Sequence, residues 1–284
     1  MIIPTTPSSK LLFSTTRVCA QATGKESVGT AFFFHFNIDG KSELPVLITN
    51  KHVVAGATTG TFLIHEQARD AEGKAIPAQS STGIRLAEFS SHWIDHPGSV
   101  DLCAMPFEPL RREAQTKGIQ PYYLALDESL IPNDETLQQL SALEDVVMVG
   151  YPIGLWDSVN NLPVLRRGIT ATHPAADFCG QPIALADIAA FPGSSGSPVF
   201  ILNEGFYATQ KGTVVGSRVF LLGVLFAGPQ FTADGTIQVV DIPTATPVAR
   251  TSIPSHLGYY VKASEILRLK AHVLSILGIS QGGD

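Results

Sequence analysis

The sequence predicts an all-β fold built from two small antiparallel barrels. Glycine and proline are spread along the whole chain, with 25 and 19 copies among 284 residues. They separate short runs of β-branched, aromatic and aliphatic residues, which is the pattern of antiparallel strands joined by turns. About eleven such runs occur, and this number suits two small barrels.

The predicted strands are short and follow one another along the chain. They span residues 11–19, 30–36, 45–50, 60–65, 102–107, 146–150, 164–172, 197–201, 214–226, 238–241 and 259–262. A charged, Gln-rich segment at 108–144 interrupts them and predicts the crossing between two halves. We therefore expect one domain over residues 1–284, with an N-terminal barrel at 11–125 and a C-terminal barrel at 145–262.

A single helix is predicted near the C terminus, at 263–278. Ser264 offers a capping hydroxyl, apolar residues then recur at helical spacing, and Gly278 is a typical stop. The helix is expected to pack on the second barrel.

Composition restricts the partners and the compartment. Hydrophobic residues make up 44% of the chain, and the formal net charge of -6 is not gathered into runs, so neither a nucleic-acid partner nor a membrane is expected. Cys19, Cys103 and Cys179 lie far apart, which argues against a disulfide framework and a metal site. The first twenty residues contain only a short apolar patch, so a cytoplasmic location is expected.

The segment with the clearest chemical pattern is 191–200 (FPGSSGSPVF), which places a serine between glycines before a predicted strand. Gly193 and Gly196 permit backbone angles that other residues avoid, so amide groups can turn inward beside Ser195 and donate to an oxyanion. A serine hydroxyl is a weak nucleophile at neutral pH. It therefore needs a base within reach and an acid that orients the base.

His52 and Asp101 are the best candidates for that base and that acid. His52 directly follows a predicted strand, whose rigid end can aim the imidazole. Asp101 opens the apolar run at 102–107, so its carboxylate is expected to be partly buried, where it can hold an imidazolium effectively.

The order His52, Asp101, Ser195 resembles that of a trypsin-like serine peptidase of the chymotrypsin fold. The closer resemblance is to the peptidase domain of bacterial HtrA-type enzymes, through residues 48–54 (ITNKHVV) and 187–196 (DIAAFPGSSG). Residues 29–33 (GTAFF) and 149–154 (VGYPIG) are weaker matches. Together they cover roughly residues 11–278 and imply two antiparallel six-stranded barrels.

The resemblance also implies a role for each matching residue. Ser195 would be the nucleophile, His52 the general base and then acid, and Asp101 the residue that orients His52. The amides of Gly193 and Ser195 would form the oxyanion hole, and no cofactor is needed.

The substrate implied by the resemblance is an extended protein or peptide. It would pair with the strand at 223–228, which includes Ala227. The side chain before the cut would enter a pocket without charged residues, formed by Ala189, Ala190, Phe226, Gly228 and Gly258. Because an unpaired buried cation is costly, we expect cleavage after an apolar residue rather than after Arg or Lys.

Two departures from the family pattern bear on regulation. Ser194 stands where precursor-activated members carry an Asp that holds a new amino terminus. Because that switch is missing, our hypothesis is control by a partner protein or by ordering of the segment 181–192. The PDZ peptide-binding module usual in HtrA-type enzymes is not expected, since the sequence stops shortly after the predicted helix.

Two other functional classes fit less well. An α/β-hydrolase needs Gly-x-Ser-x-Gly followed by a helix, whereas Ser197 replaces the last glycine here and Pro198 leads into a strand. Only His256 and His272 follow Ser195 in sequence. A non-catalytic binding module with a peptidase fold stays the alternative, although such proteins usually lack one residue of the triad.

Smaller features have less specific interpretations. Asp95 competes with Asp101 as the orienting acid but lacks a following apolar strand. His92 and His96 have a spacing that suits a metal, yet no third ligand lies near them in sequence. Arg166 and Arg167 could shape the substrate cleft, but two adjacent arginines are more typical of a solvated strand face.

Overall fold

The computed structural model describes residues 2–210, 212–236, 248–254 and 256–280. Most of this chain forms β-strands arranged in two units, and the helices are short except at the C terminus. The predicted strand at 238–241 lies outside the described residues. The expectation of a mostly β fold with a C-terminal helix is confirmed.

The first unit is a nine-stranded sheet. Its strands are β1 Thr15–Ala22, β2 Lys25–Asn37, β3 Glu43–Thr49, β4 Thr59–Arg69, β5 Ala75–Ala87, β6 Ile94–Asp95, β7 Cys103–Pro106, β8 Pro121–Tyr122 and β9 Leu126–Asp127. The hydrogen-bonded order is β5-β4-β1-β2-β3-β7-β6, with β8 added to β4 and β9 added in parallel to β2. Among the described residues this path does not close. The last strand, β6, has two residues and offers few backbone groups with which closure could occur.

The second unit is a closed barrel of six strands, as expected. Its order is β10-β11-β12-β19-β16-β13, and two hairpins, β14-β15 and β17-β18, lie outside it. The strands are β10 Asp145–Gly150, β11 Val164–Thr170, β12 Ile183–Asp187, β13 Pro198–Asn203, β14 Phe206–Thr209, β15 Gly212–Val215, β16 Arg218–Ala227, β17 Gln230–Thr236, β18 Val248–Pro254 and β19 Leu257–Lys262.

Several strand boundaries differ from the sequence-based expectation. The residues before β1 form a helix, α1 Pro7–Leu11, because Thr6 and Ser9 make a capping box and Pro7 occupies the first turn. The strand predicted at 214–226 is divided between β15 and β16 at Gly216, where φ is +151°. The strands β5 and β12 were not predicted.

The segment 108–144 is a crossing with its own short elements. It contains α3 Glu108–Thr116, the strands β8 and β9, a 3-10 turn at Glu128–Leu130 and α4 Asp134–Gln139. The other short helices are α2 Lys51–Val54 and the 3-10 turns Phe89–His92, Pro152–Gly154 and Phe178–Gly180. None of the helices in the described part of the chain has the length and apolarity that a membrane crossing requires.

The C-terminal helix, α5 Ser264–Ile276, ends as predicted but begins and packs differently. Gly278 has a φ of +66° and follows the last turn, whereas Ser264 is the first helical residue and Ala263 occupies the cap position without a side-chain hydrogen bond. Ile266, Leu269 and Val273 are fully buried in a cluster drawn from both units. The other members of this cluster include Phe32, Phe34, Ile48, Phe200 and Leu221.

The helix therefore joins the two units rather than covering the second barrel alone. A buried pair adds to this connection, since His96 Nε2 lies 3.1 Å from Glu265 Oε2 with both side chains almost fully enclosed. His96 belongs to the segment that leads to Asp101, so α5 supports that segment directly.

Candidate active site

His52 and Asp101 are brought together by the pairing of β3 with β7. Thr49 at the end of β3 lies opposite Cys103 at the start of β7, so the residues just beyond these ends meet at one edge of the sheet. His52 Nδ1 lies 2.5 Å from Asp101 Oδ2, and the His52 backbone N–H donates to Asp101 Oδ1 at 3.1 Å. The two carboxylate oxygens thus hold one residue through its ring and its main chain.

The loop that carries Asp101 is fixed by the two residues before His52. The buried Asn50 donates from Nδ2 to the carbonyl of Asp101 at 2.7 Å. Lys51 donates from Nζ to the carbonyls of His96 and Gly98 at 2.9 and 3.1 Å. Neither contact was predicted, although both residues belong to the motif around His52.

The loop around Ser195 has two glycines in the left-handed region. Gly193 has a φ of +88° and Gly196 a φ of +85°, which residues with a Cβ rarely adopt. A methyl group at Gly196 would also collide with the Thr30 carbonyl. The prediction that these positions need glycine for backbone reasons agrees with this geometry.

The backbone N–H groups of this loop differ in whether they make hydrogen bonds within the described chain. The N–H groups of Ser194, Gly196 and Ser197 donate to the carbonyls of Phe191, Leu225 and Ser194 at 3.0, 2.8 and 3.0 Å. Within the described chain, the N–H groups of Gly193 and Ser195 donate to no protein acceptor. Two neighbouring free amides beside a serine can hold an oxyanion.

The serine loop is attached to the first unit through two buried threonines. The Thr30 N–H donates to the Ser195 carbonyl at 2.8 Å, and Thr30 Oγ1 donates to the Gly193 carbonyl at 3.3 Å. Thr49 Oγ1 in turn donates to the Thr30 carbonyl at 2.6 Å. The sequence alone did not reveal these roles. Their only signal was that Thr30 and Thr49 lie in the segments that resemble the family.

The Ser195 hydroxyl is not hydrogen-bonded to His52. It donates instead to the Phe226 carbonyl at 3.5 Å, the long end of the range for a hydrogen bond. Within the described chain it makes no other hydrogen bond. The pair of His52 and Asp101 is therefore assembled, while the hydroxyl is turned toward β16.

The edge of β16 next to Ser195 is open beyond Val224. β13 pairs with β16 only as far as Pro198 and Val224, whereas on the other side β19 continues to Ala227. Within the described strands, the backbone of Phe226 and Ala227 thus has one unpaired side. An extended peptide can add to such an edge.

The predicted pocket residues lie close to one another. A methyl group at Gly228 would lie 3.3 Å from Ala190 Cβ, and one at Gly258 would lie 3.4 Å from the same atom. The ring of Phe226 lies 6.2 Å from that of Tyr259. Ala189 adjoins this group, and its carbonyl accepts a hydrogen bond from a cation.

That cation is Arg166, for which a solvated face was predicted. Arg166 Nη1 donates to the Ala189 carbonyl at 2.6 Å, and its guanidinium lies 4.8 Å from the centre of the Phe191 ring. Partial burial lowers the pKa of Arg166 below its usual value. The prediction holds for Arg167, which is exposed and pairs with Asp145 at 2.8 Å. Neighbouring residues of a strand face opposite sides of the sheet. The expectation of a solvated face was therefore wrong for Arg166.

The remaining candidates lie elsewhere. Asp95 is exposed in β6, and its side chain makes no contact with His52 among the described interactions. His92 Nε2 pairs with the Ala87 carbonyl at 3.1 Å, whereas His96 faces Glu265. No group of three metal-binding side chains occurs in the part of the chain that the structure describes. The three cysteines are free thiols.

Comparison with known proteins identifies the family. Residues 29–206, more than half of the chain, match the model described as Trypsin-like peptidase domain. The chain belongs to the trypsin-like peptidase family. This confirms the expectation of a trypsin-like serine peptidase, and the matched region of the peptidase includes His52, Asp101 and Ser195.

Solved structures similar to the peptidase include two bacterial proteases. The serine endoprotease from Yersinia pestis is 13% identical, with 96% of this chain and 68% of that chain covered and a TM-score of 0.47. The active form of the Rv3671c protease from M. tuberculosis is 18% identical, with 98% and 86% covered and a TM-score of 0.43. A comparison with curated proteins finds no match.

Proposed function

We propose that the chain is an endopeptidase with a triad of His52, Asp101 and Ser195 and an oxyanion hole formed by the amides of Gly193 and Ser195. The observation that carries the proposal is the pair of His52 and Asp101 at 2.5 Å, on the same edge as a serine loop with two free amides. Such a pair has the geometry that orients a general base.

In the proposed reaction, Ser195 Oγ attacks a peptide carbonyl while His52 Nε2 removes its proton. The tetrahedral oxyanion accepts hydrogen bonds from the two free amides. His52 then donates the proton to the leaving amine, and water hydrolyses the acyl-enzyme. Asp101 holds the imidazole and stabilises its charged form.

Labelling with a fluorophosphonate tests whether Ser195 is activated. We expect the folded protein to acquire one adduct at Ser195, located by mass spectrometry of its peptides. Ser195→Ala should not be labelled. Ser194→Ala should be labelled like the wild type, because the Ser194 hydroxyl is buried and has no hydrogen-bond partner among the described residues.

A second candidate is a protein with the peptidase fold that either only binds partners or becomes active only when a partner is bound. The contact of Ser195 Oγ with the Phe226 carbonyl favours this candidate, since the hydroxyl must leave it before it can meet His52. Labelling only after a partner protein is added would support gating, and no labelling under any condition would support a binding module. Rapid cleavage of unfolded casein by the chain alone would contradict gating.

The hypothesis that ordering of the segment 181–192 controls activity can be restricted to fewer residues. Residues Ile183–Asp187 form β12, which pairs with β19 along its whole length. A partner or an ordering step would therefore act on residues 188–193, where Arg166 and the Ile153 N–H already hold the carbonyls of Ala189 and Pro192.

The pocket predicts a preference for an apolar residue before the cut. Peptides that differ only at this position should be cleaved at least about 100-fold faster with Leu or Phe than with Arg, because a buried cation would have no counter-ion. The measurement is kcat/KM for the matched peptides. Faster cleavage after Arg would contradict the proposed pocket.

A matched variant locates the pocket independently of charge. Gly228→Ala places a methyl group 3.3 Å from Ala190 Cβ, so it should narrow the pocket. We expect kcat/KM to fall more for Phe than for Ala before the cut. An equal fall for both would point to a general disturbance instead.

A further inference from the structure

A large cavity lies in the first unit, outside the proposed active site. Its volume is about 1270 Å³, and it is bounded by the N-terminal helix α1, by α3 and the residues that follow it, and by the near ends of β2, β4 and β5, with Val219 of β16 contributed by the second unit. None of His52, Asp101 and Ser195 lines it. Ligand sites in proteins typically measure about 300–1,000 Å³, so this space can hold a small molecule.

The inner wall of the cavity is apolar and rigid. Leu11, Phe107, Tyr122 and Leu126 line it and are buried. Tyr123 also lines it, and its ring is stacked on Phe33 with the centres 4.5 Å apart. Aromatic rings fixed in this way offer a hydrophobic surface that does not need to reorganise when a ligand binds.

Basic side chains line the cavity, and acidic ones do not. Lys10, His35, Lys74 and Arg111 line it, and no Asp or Glu does. Two of the four face an acid just outside, since His35 Nδ1 lies 2.7 Å from Glu43 and Arg111 Nη2 lies 2.6 Å from Glu108.

Lys10 and Lys74 keep their positive charge uncompensated. Both are exposed, and within the described structure neither ammonium group makes an ion pair. On a chain with a net charge of -6, this concentration of cations around an apolar floor favours an anion.

Two phenol groups add hydrogen-bond donors. Tyr122 and Tyr123 line the cavity, and in the described chain neither hydroxyl is bonded to a protein acceptor. Burial raises the pKa of both above the usual value. Both therefore stay protonated and can donate to an oxyanion.

We propose that this cavity binds a long-chain carboxylate, with the alkyl chain on the aromatic floor and the carboxylate among Lys10, Lys74 and the phenol groups. A polyphosphate fits less well, because the unpaired cations are few and lie around apolar surface. A neutral lipid would make no use of the cations. The site is independent of the proposed catalytic residues.

Calorimetric titration with dodecanoate below its micellar concentration tests the site in the full chain. We expect saturable binding of one molecule per chain, weakened by added salt. 1-Dodecanol has the same alkyl chain without the charge and should bind at least about tenfold more weakly. Equal binding of the two would overturn the proposal.

Charge reversal locates the carboxylate. Lys10→Glu combined with Lys74→Glu should weaken dodecanoate binding by at least about tenfold, since both uncompensated cations become anions. The matched control is Lys25→Glu combined with Arg85→Glu. These exposed cations do not line the cavity, and they lie ten residues along β2 and β5 from His35 and Ala75, which do.

The control should bind like the wild type. Equal weakening by both double variants would mean that only net charge matters. No heat of binding at either of two temperatures about 20 °C apart would exclude the ligand class, because burial of an alkyl chain makes the heat of binding depend on temperature. Either result overturns the proposal. Circular dichroism of each variant checks that the chain is folded. The titration needs no activity, so its outcome is separate from that of the proposed peptidase.

Discussion

Ser195→Ala is expected to reduce kcat/KM for a peptide substrate by about 10⁵-fold or more while the fold stays intact. The reduction follows from the loss of the proposed nucleophile. Residual turnover above the rate in water would come from the oxyanion hole and from substrate binding. These do not depend on the hydroxyl, because the two free amides belong to the main chain.

The stability of this variant should be close to that of the wild type. The Ser195 hydroxyl makes a single long contact, with the Phe226 carbonyl at 3.5 Å. The contact that attaches the loop runs from the Thr30 N–H to the main-chain carbonyl of Ser195, and alanine keeps it. Urea denaturation should therefore give a free energy of unfolding within about 1 kcal/mol of the wild-type value.

Peptide hydrolysis and urea denaturation on the same preparations separate the two effects. The control is Ser194→Ala, which removes a buried hydroxyl from the neighbouring residue and should keep most of the activity. If Ser195→Ala retained more than a small percentage of wild-type activity, another nucleophile would have to be sought.

The sequence predicted the strands well where an apolar run lay between clear turn residues. β3, β10 and β13 were located to within two residues at each end, because they are buried along most of their length. β5 was missed, since it mixes apolar and polar residues and pairs at one edge of the sheet. β12 was missed as a five-residue strand between Pro182 and the serine loop.

The position of α5 illustrates what periodicity cannot provide. Helical spacing revealed that Ile266, Leu269 and Val273 share a buried face. It could not reveal that Phe32 and Phe34 of the first unit belong to the same buried cluster as that face, since this depends on how the two units meet. Nor could it reveal Glu265 as the partner of His96.

The candidate site was predictable for a different reason. The positions of His52, Asp101 and Ser195 follow from residue types at strand ends and from motifs that resemble the family. Their supporting contacts were not predictable, because Thr30, Thr49 and Arg166 act through main-chain carbonyls. Every residue has a carbonyl acceptor, so the sequence does not indicate which carbonyl a side chain will bind.

Asp101→Asn is expected to lower kcat by about 10⁴-fold with little change in KM. The reason is the way the carboxylate is held. The His52 backbone N–H donates to Oδ1 at 3.1 Å, so the amide oxygen of the substituted side chain would take that position. Its NH₂ group would then face His52 Nδ1 in place of Oδ2, which lies 2.5 Å from that nitrogen.

An NH₂ group can only donate, so Nδ1 would become an acceptor and the proton of the neutral ring would move to Nε2. A ring with a proton on Nε2 cannot remove the proton of Ser195. In our proposal the substrate binds along β16 and in the pocket, which Asp101 does not contact, so KM should hardly change. The matched control is Asp95→Asn, because Asp95 is the competing acid and is exposed. Steady-state kinetics of both variants show which of the two aspartates orients His52. A large loss of kcat in Asp95→Asn with little loss in Asp101→Asn would assign the orienting role to Asp95 instead. The pairing of β3 with β7 favours Asp101.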